Sequence, residues 1–476
     1  MKKAVEFKNV SFCYNNSPQV LSDVSFTLNY GEITLLTGES GQGKSTVLSV
    51  IAGIIPNVAP GEISGEILIN GESISGKPLS ETCREAGVVL QNADSQIIHN
   101  TVEDESAFGC ENFGFPQDRI SRCIEVACNK TGLEKNMATR TLSGGQKQKL
   151  ITASALATEQ KILIFDEPLA NLDVKFTLQL MRLLRRLADE GYCILIIEHR
   201  TDMIADFADR FLTIRNSKIT ESEKREVVSN STKQIPDTSV YSAQKEILLK
   251  LKNVNFTVKK KEILKDVSLE VYKGERLLIL GENGCGKTTL MRILAKLYKP
   301  TGGEYIQNIL PSERRNKGSK KWFGKVGVVY QNPNYQLFMP SVKQEIEFNA
   351  FSPEYAREIT NRLNLEKIAD RHPQSLSEGQ KRKVTLAAVL AGKPDLLLID
   401  EPTVGQDYNS LCLITNAINQ IHNETGSTII TITHDVRCAD AFCDRAAVIK
   451  EGKVLNIGGK ETAQEFFEQL SKEIQL

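Results

Sequence analysis

The sequence has no surplus of charge of either sign: its 476 residues carry 59 Lys and Arg against 59 Asp and Glu. A chain built to hold nucleic acid usually shows a basic excess, so no nucleic-acid partner is expected. The basic runs at Arg314-Arg315 and from Lys317 to Lys325 read instead as a solvated loop between two strands. Long apolar runs are missing too. None approaches the about 18 residues that cross a bilayer, so any work at a membrane would need spans from other subunits. The ten cysteines form no C-x-x-C pair. Cys110, Cys123 and Cys128, or Cys438 and Cys443, lack zinc-ligand spacing. A disulfide framework is not expected either, which favours the reducing cytoplasm. Met1-Lys2-Lys3-Ala4-Val5-Glu6 holds no apolar core of a signal peptide. At this length one hydrophobic core does not suffice, and two or more domains are expected.

What is present is a glycine-rich loop. Gly38-Glu39-Ser40-Gly41-Gln42-Gly43-Lys44-Ser45-Thr46 has the form G-x-x-x-x-G-K-[ST]. It lies between a strand-like run, Ile33 to Thr37, and a helix-like run, Val47 to Ile51, the context a phosphate-binding loop requires. Its glycines let backbone N–H groups close round phosphate oxygens where a Cβ would clash. The following helix aims its positive end at the same anion. Lys44 adds a full charge, and the Ser45 hydroxyl is placed for Mg²⁺. Gly281-Glu282-Asn283-Gly284-Cys285-Gly286-Lys287-Thr288-Thr289 repeats the loop after a second strand-like run, Arg276 to Leu280.

The repetition extends along the chain. Val5-Glu6-Phe7-Lys8-Asn9-Val10-Ser11-Phe12 matches Leu249-Lys250-Leu251-Lys252-Asn253-Val254-Asn255-Phe256, and Val20 to Phe26 matches Ile263 to Leu269. The two loops lie 243 residues apart, Gln91 and Gln331 240, Ser143 and Ser377 234, Asp166 and Asp400 234, and His199 and His434 235. The chain therefore reads as a tandem duplication of a module of about 235 residues. The first domain spans 1–222, a polar linker 223–245, and the second domain 246–476. Strands alternate with helical patterns, which predicts an α/β fold with a mainly parallel sheet. Between Gln91 and Ser143 the pattern turns helical. Thr101-Val102-Glu103-Asp104 and Ser341-Val342-Lys343-Gln344 have capping-box form. The tail, Glu461 to Leu476, reads as an amphipathic helix carrying Phe466, Phe467 and Leu470.

Two apolar runs, Ile162-Leu163-Ile164-Phe165 and Leu396-Leu397-Leu398-Ile399, each end in a pair of acids, Asp166-Glu167 and Asp400-Glu401. A buried central strand explains such a run, and its carboxyl end is where ligands bind in these sheets. Asp166 and Asp400 would hold Mg²⁺, partly through water. Glu167 and Glu401 would orient or deprotonate the attacking water.

Leu142-Ser143-Gly144-Gly145-Gln146-Lys147 and Leu376-Ser377-Glu378-Gly379-Gln380 complete a pattern that resembles the ATP-binding cassette (ABC) family over essentially the whole chain. The resemblance implies two tandem nucleotide-binding domains, each with a P-loop α/β core, an antiparallel β subdomain and a helical subdomain. It implies ATP and Mg²⁺ as cofactors and an intramolecular pseudo-dimer. Gly38–Thr46 would share one ATP with Ser377, Gly379 and Gln380; Gly281–Thr289 would share the other with Ser143, Gly144, Gly145 and Gln146. Gln91 and Gln331 match the Q-loop, which touches Mg²⁺. His199 and His434 match the switch histidine, and Ala170-Asn171-Leu172-Asp173 and Val404-Gly405-Gln406-Asp407 the D-loop. Tyr14 matches the aromatic that stacks on adenine. Three positions depart from the pattern: Val258 stands where Tyr14 does, Glu378 where Gly144 does, and Gln406 where Leu172 does. Phe256 reads as core, like its counterpart Phe12. Neither site loses a catalytic group, so both look able to hydrolyse ATP.

Gln91-Asn92-Ala93-Asp94-Ser95-Gln96 and Gln331-Asn332-Pro333-Asn334-Tyr335-Gln336 share the form Q-N-x-x-x-Q. This form resembles the ATPases of energy-coupling factor (ECF) importers, here in a fused two-cassette version. That resemblance implies a membrane T-component, a small substrate-binding S-component, and work at the cytoplasmic face of the membrane. The cargo would be a vitamin, a vitamin precursor or a transition-metal ion. A fused sugar-importer ATPase would not be expected to carry Q-N-x-x-x-Q twice. A soluble ABC-F translation factor would carry a longer, charged linker.

Overall fold

Contacts divide the computed structural model into two compact units, Met1–Thr232 and Lys233–Leu476. The structure describes residues 2–15, 17–169, 172, 174–231, 233–239, 244–310 and 320–475. In the first unit the strands are β1 (Lys3–Tyr14), β2 (Gln19–Asn29), β3 (Ile33–Thr37), β4 (Gly61–Ile69), β5 (Glu72–Ser73), β6 (Ala86–Val89), β7 (Ile162–Asp166), β8 (Cys193–Ile197), β9 (Arg210–Arg215) and β10 (Lys218–Glu221). An antiparallel sheet has the order β2-β1-β4-β5, and a second sheet the order β10-β9-β3-β8-β7-β6. The second sheet is parallel from β9 to β6, with β10 turning back on β9. Its middle strands are largely apolar because both faces are covered. Ile162, Ile164 and Leu195 join Phe7, Leu28, Val47 and Ile51 in one core that ties the two sheets together. Between β6 and β7 come the helices Val102–Asn112, Gln117–Thr131 and Gly144–Ala157.

The second unit repeats this plan with β11 (Ile247–Val258), β12 (Lys261–Tyr272), β13 (Arg276–Leu280), β14 (Gly302–Gln307), β15 (Val326–Val329), β16 (Leu396–Asp400), β17 (Thr428–Ile432), β18 (Arg445–Lys450) and β19 (Lys453–Gly458). Its sheets run β12-β11-β14 and β15-β16-β17-β13-β18-β19. The tail forms the expected helix, Lys460–Gln475, which buries Ala463 and Phe467 against Leu278, Leu280 and Cys443. Among the described residues no helix is long and apolar enough to cross a membrane.

Local readings shift in three places. Of the polar stretch after β10, 232 and 240–243 lie outside the described residues; the described part is built into both units. It forms a helix, Lys224–Ser231, with Val227 buried and its carbonyl bonded by Thr201 Oγ1 at 3.0 Å. Further on, Ile235 enters the core of the second unit. Of the basic run, 314, 315 and 317–319 lie outside the described residues; Lys320–Phe323 is a short helix rather than a solvated loop. The physical reason is Trp322, which is fully buried and donates Nε1 to the Ala295 carbonyl at 2.9 Å, as a buried indole requires. The two expected capping boxes close only halfway. Thr101 and Ser341 accept the Asp104 and Gln344 N–H groups. The shorter Asp104 side chain accepts a hydrogen bond from the Thr101 hydroxyl at 2.6 Å instead of returning to the backbone.

The start of the second unit depends on one buried cation. Arg276 is 3% exposed; its Nη1 donates to Asp237 Oδ1 and its Nη2 to Asp444 Oδ1, both at 2.6 Å. Burial opposes charge on Asp237. Hydrogen bonds from Arg276, the Ser239 N–H and Lys460 outweigh it and hold the carboxyl well below the usual range. A depressed carboxylate stabilises the fold above its unfolded pKa and loses that contribution as pH falls below about 4. Arg276→Ala should therefore destabilise the second unit by about 3 kcal/mol near neutral pH, with a smaller difference at pH 3. Urea unfolding followed by Trp322, the one tryptophan in the chain, reads this unit alone. An unchanged midpoint would deny Arg276 this structural role.

Candidate functional site

Each phosphate loop leaves its strand through a glycine pressed against backbone. A Cβ on Gly38 would lie 2.5 Å from the Ile214 carbonyl oxygen, and one on Gly281 2.2 Å from that of Ile449. Gly41 and Gly284 are left-handed, at φ +79° and +81°, with nothing within 4 Å of the missing Cβ. That open space leaves the backbone accessible to an anion. Gly43 and Gly286 then open the helices Lys44–Ile51 and Lys287–Leu294. Lys44 Nζ donates to the carbonyls of Gly38 and Glu39, and Lys287 Nζ to those of Gly281 and Glu282, all at 2.8 Å. Glu39, Ser40, Glu282 and Asn283 lie exposed on the rims. Gln42 Oε1 accepts the Asn216 N–H at 3.0 Å; its counterpart Cys285 is buried, and burial pushes its thiol up. Thr289 is half-buried. Thr46 Oγ1 stands 3.3 Å from Tyr14 Oη.

The acids meet these loops at the ends of β7 and β16. Ser45 Oγ donates to Asp166 Oδ2 at 3.3 Å, and Thr288 Oγ1 to Asp400 Oδ2 at 2.9 Å. Burial, then the neighbouring Glu167 or Glu401, pushes Asp166 and Asp400 each up to about 6. A bound cation would draw such a carboxyl back down. Glu167 and Glu401 have φ of 45° and 52°, a backbone state that costs a non-glycine residue on the order of 1 kcal/mol or more. The next strand holds it: the Glu167 N–H donates to the Ile197 carbonyl and the Glu401 N–H to that of Ile432, both at 2.8 Å. His199 Nε2 lies 3.1 Å from Glu167 Oε1, and His434 Nε2 3.1 Å from Glu401 Oε1. Gln91 Nε2 donates to Glu167 Oε2 at 2.6 Å. Gln331 holds the same place after β15, and its backbone carbonyl accepts from Arg382 at 2.9 Å.

Ser143 and Ser377 cap the helices Gly144–Ala157 and Glu378–Leu390, and Gln146 and Gln380 close both capping boxes. Gly145 and Gly379 sit close to side chains: a Cβ would meet the Phe176 ring at 2.4 Å and Gln406 Nε2 at 3.1 Å. The departure at Glu378 has a local cause. Lys147 pairs with Asp94 in the first unit. Its counterpart Lys381 faces the neutral Asn334, and Glu378 supplies the missing charge at 3.1 Å. Of the first D-loop, Ala170, Asn171 and Asp173 lie outside the described residues; Leu172 and its counterpart Gln406 are both buried. Tyr14 stands edge-on to Phe12 at 4.8 Å, whereas Val258 is 45% exposed. Phe256 is less buried than Phe12: it packs against the core of the second unit at its edge, is partly exposed, and stacks on Tyr298 at 5.3 Å.

Several working residues escaped the sequence reading. The last glutamine of Q-N-x-x-x-Q behaves as an extra strand residue. Gln96 accepts the Leu90 N–H and donates to the Val88 carbonyl; Gln336 does the same with Tyr330 and Val328. Its recurrence at one spacing was the available signal. Glu105 and Glu345 are buried and take the N–H groups of Ile98 and His99, or of Phe338 and Met339, at 2.8–2.9 Å. Glu105 is thus a loop brace and not part of a solvated helix start. Glu198, beside His199, is buried among Asp166 and Glu167.

A family model described as ABC transporter matches residues 21–170 and 264–404, together more than half of the chain. A putative ABC transporter ATP-binding protein of Methanosarcina mazei is 32% identical, covering 95% of this chain and 88% of its own length. The putative HMP/thiamine import ATP-binding protein YkoD of Bacillus subtilis is 30% identical, covering 93% of this chain and 89% of its own. Among solved structures, the archaeal ribosome recycling factor aABCE1 superimposes with a TM-score of 0.65, covering 97% of this chain and 92% of that one. At 21% identity that likeness concerns the fold alone. The loops and strand-end acids occur twice, and both matched segments carry one set; the chain belongs to the ABC transporter family, as a two-cassette ATPase.

Proposed function

We propose that this ATPase is the motor of an ECF-type importer, working at the cytoplasmic face of the membrane. A separate T-component spans the bilayer and a separate S-component carries a vitamin, a vitamin precursor or a transition-metal ion. ATP lies along each phosphate loop, with Tyr14 on the first adenine. Mg²⁺ would be held by Ser45, Asp166 and Gln91 in the first unit and by Thr288, Asp400 and Gln331 in the second, and would offset charge on the phosphates. Among the described residues no cluster of three or more His, Cys, Asp or Glu side chains is built to hold a metal alone. That fits a cation that takes its remaining ligands from nucleotide phosphates. Glu167 and Glu401 act on water, assisted by His199 and His434.

The observation that carries the importer reading is a braced segment that starts at the Gln91–Glu167 contact and carries open apolar surface. Gln91 touches Glu167. Along the segment that Gln96 and Glu105 fix, Ile98 and Phe108 are exposed; in the second unit Tyr335, Phe338, Phe348 and Phe351 are. Such patches mark partner surfaces. The 30%-identical relative named for HMP/thiamine import supports a vitamin-type cargo.

Glu167→Gln with Glu401→Gln should abolish steady-state hydrolysis and leave ATP binding intact, because Gln keeps the shape without the basicity. Turnover near the wild-type rate would remove these acids from the chemistry. The two loops should also differ in affinity. Stacking on an aromatic contributes roughly 1–3 kcal/mol, Val258 offers none, and the Phe256 ring is engaged by Tyr298. Val258→Tyr should tighten nucleotide at the second loop in a site-resolved titration; equal affinities before and after the change would deny the role given to Tyr14.

Coupling is tested at Glu103 and Asp104, which are exposed, with Glu105 left untouched. Glu103→Lys with Asp104→Lys should leave the chain folded and binding ATP, yet release the membrane partner and stop uptake. Loss of one member of a buried, hydrogen-bonded charge pair typically costs about 2–5 kcal/mol. Normal assembly and transport by the double variant would place the coupling surface elsewhere.

A further inference from the structure

Each unit ties the segment after its strand-end acid to the loop that carries its histidine, and the two ties use different chemistry. In the first unit Glu198 Oε2 accepts the Leu169 N–H at 3.3 Å, and Oε1 accepts those of His199 at 2.8 Å and Arg200 at 3.1 Å. In the second unit Thr433 stands at the Glu198 position and Thr403 at the Leu169 position. Their hydroxyl oxygens lie 3.0 Å apart, and Thr433 Oγ1 accepts the Asp435 N–H at 3.1 Å. Asp435 is the counterpart of Arg200. The same junction is therefore closed twice, by a carboxylate reaching a backbone N–H and by a pair of hydroxyls.

The pairing of residue types is what makes the difference readable. Leucine has no side-chain donor, so position 198 needs an acceptor long enough to reach the backbone at 169. Threonine at 403 brings its own hydroxyl, so the short Thr433 suffices. A buried carboxylate carries a desolvation cost; burial and the nearby Glu167 both push the Glu198 carboxyl up. Its three backbone donors offset that cost. They also fix the two chain segments that flank the contact between Glu167 and His199.

We infer that Glu198 is a positioning residue for ATP hydrolysis: it holds the His199 loop and the segment at Leu169 in register with Glu167. The inference rests on the roles proposed above for Glu167 and His199. The experiment uses the full chain with Glu401→Gln, so that turnover depends on Glu167. In that background Glu198→Thr should lower kcat at least about tenfold, as a sub-ångström to ångström misplacement of catalytic groups does, with KM for ATP within about twofold. Adding Leu169→Thr transplants the hydroxyl pair of the second unit and should recover kcat to within about threefold of the parent. A merely structural role for Glu198 would not predict that rescue. A Glu198→Thr chain as fast as its parent would overturn the inference, as would a Leu169→Thr/Glu198→Thr chain no faster than Glu198→Thr. Residual turnover in Glu167→Gln/Glu401→Gln would instead overturn the assignment of Glu167, and this inference with it.

Discussion

Carboxylates that must sit together at the end of buried apolar strands set the terms for each unit. β7, β8, β16 and β17 are buried along their length, so polar groups can gather only where the strands stop. There Asp166 is raised to about 6 by burial and by Glu167. Glu167 itself is held in a left-handed backbone state by the Ile197 carbonyl. Strain of this kind persists only where the surroundings over-determine it. Gln91, His199 and the Ser45 hydroxyl supply the surroundings, each reaching the acids from a different segment. The second unit solves the same problem with Thr288 and His434.

Much of this was legible in the sequence, for a physical reason. A phosphate loop, a pair of acids after an apolar run and a histidine after another are short patterns whose chemistry fixes both residue type and spacing. Meeting each one twice at nearly constant offset fixed the duplication. Side-chain to backbone bonds were not legible. Glu103, Asp104 and Glu105 look alike in the sequence, yet only Glu105 turns inward to take two loop N–H groups. Gln96 and Gln336 mimic a strand residue, which no periodicity reveals. Composition likewise read the run around Trp322 as solvated; one indole with a carbonyl to reach drew it inside.

The differences between the units show what the duplication preserves. At Lys147 and Lys381 it is a neutralised lysine, with the acid moved from position 94 to position 378. At the histidine loop it is a closed junction, with the carboxylate of Glu198 exchanged for the hydroxyls of Thr403 and Thr433. In both cases one substitution looks like damage until its partner is found, and the pair keeps the interaction.

Val258 does not follow this pattern. Compensation would need another ring free to take the place of Tyr14. Phe256 is the nearest candidate along β11, but it lies parallel to Tyr298 at 5.3 Å, with an interplanar angle of 6°. Tyr298 in turn accepts a hydrogen bond from Arg292 at 2.8 Å. Its counterpart 243 residues earlier is Ile55, so the Phe256–Tyr298 pair belongs to the second unit alone. That pair keeps Phe256 from serving as a stacking face without cost, since a purine would have to displace a ring already in contact. A substitution with no restoring partner is where two otherwise parallel sites are free to diverge in function, and here it falls at the position proposed above for stacking on adenine.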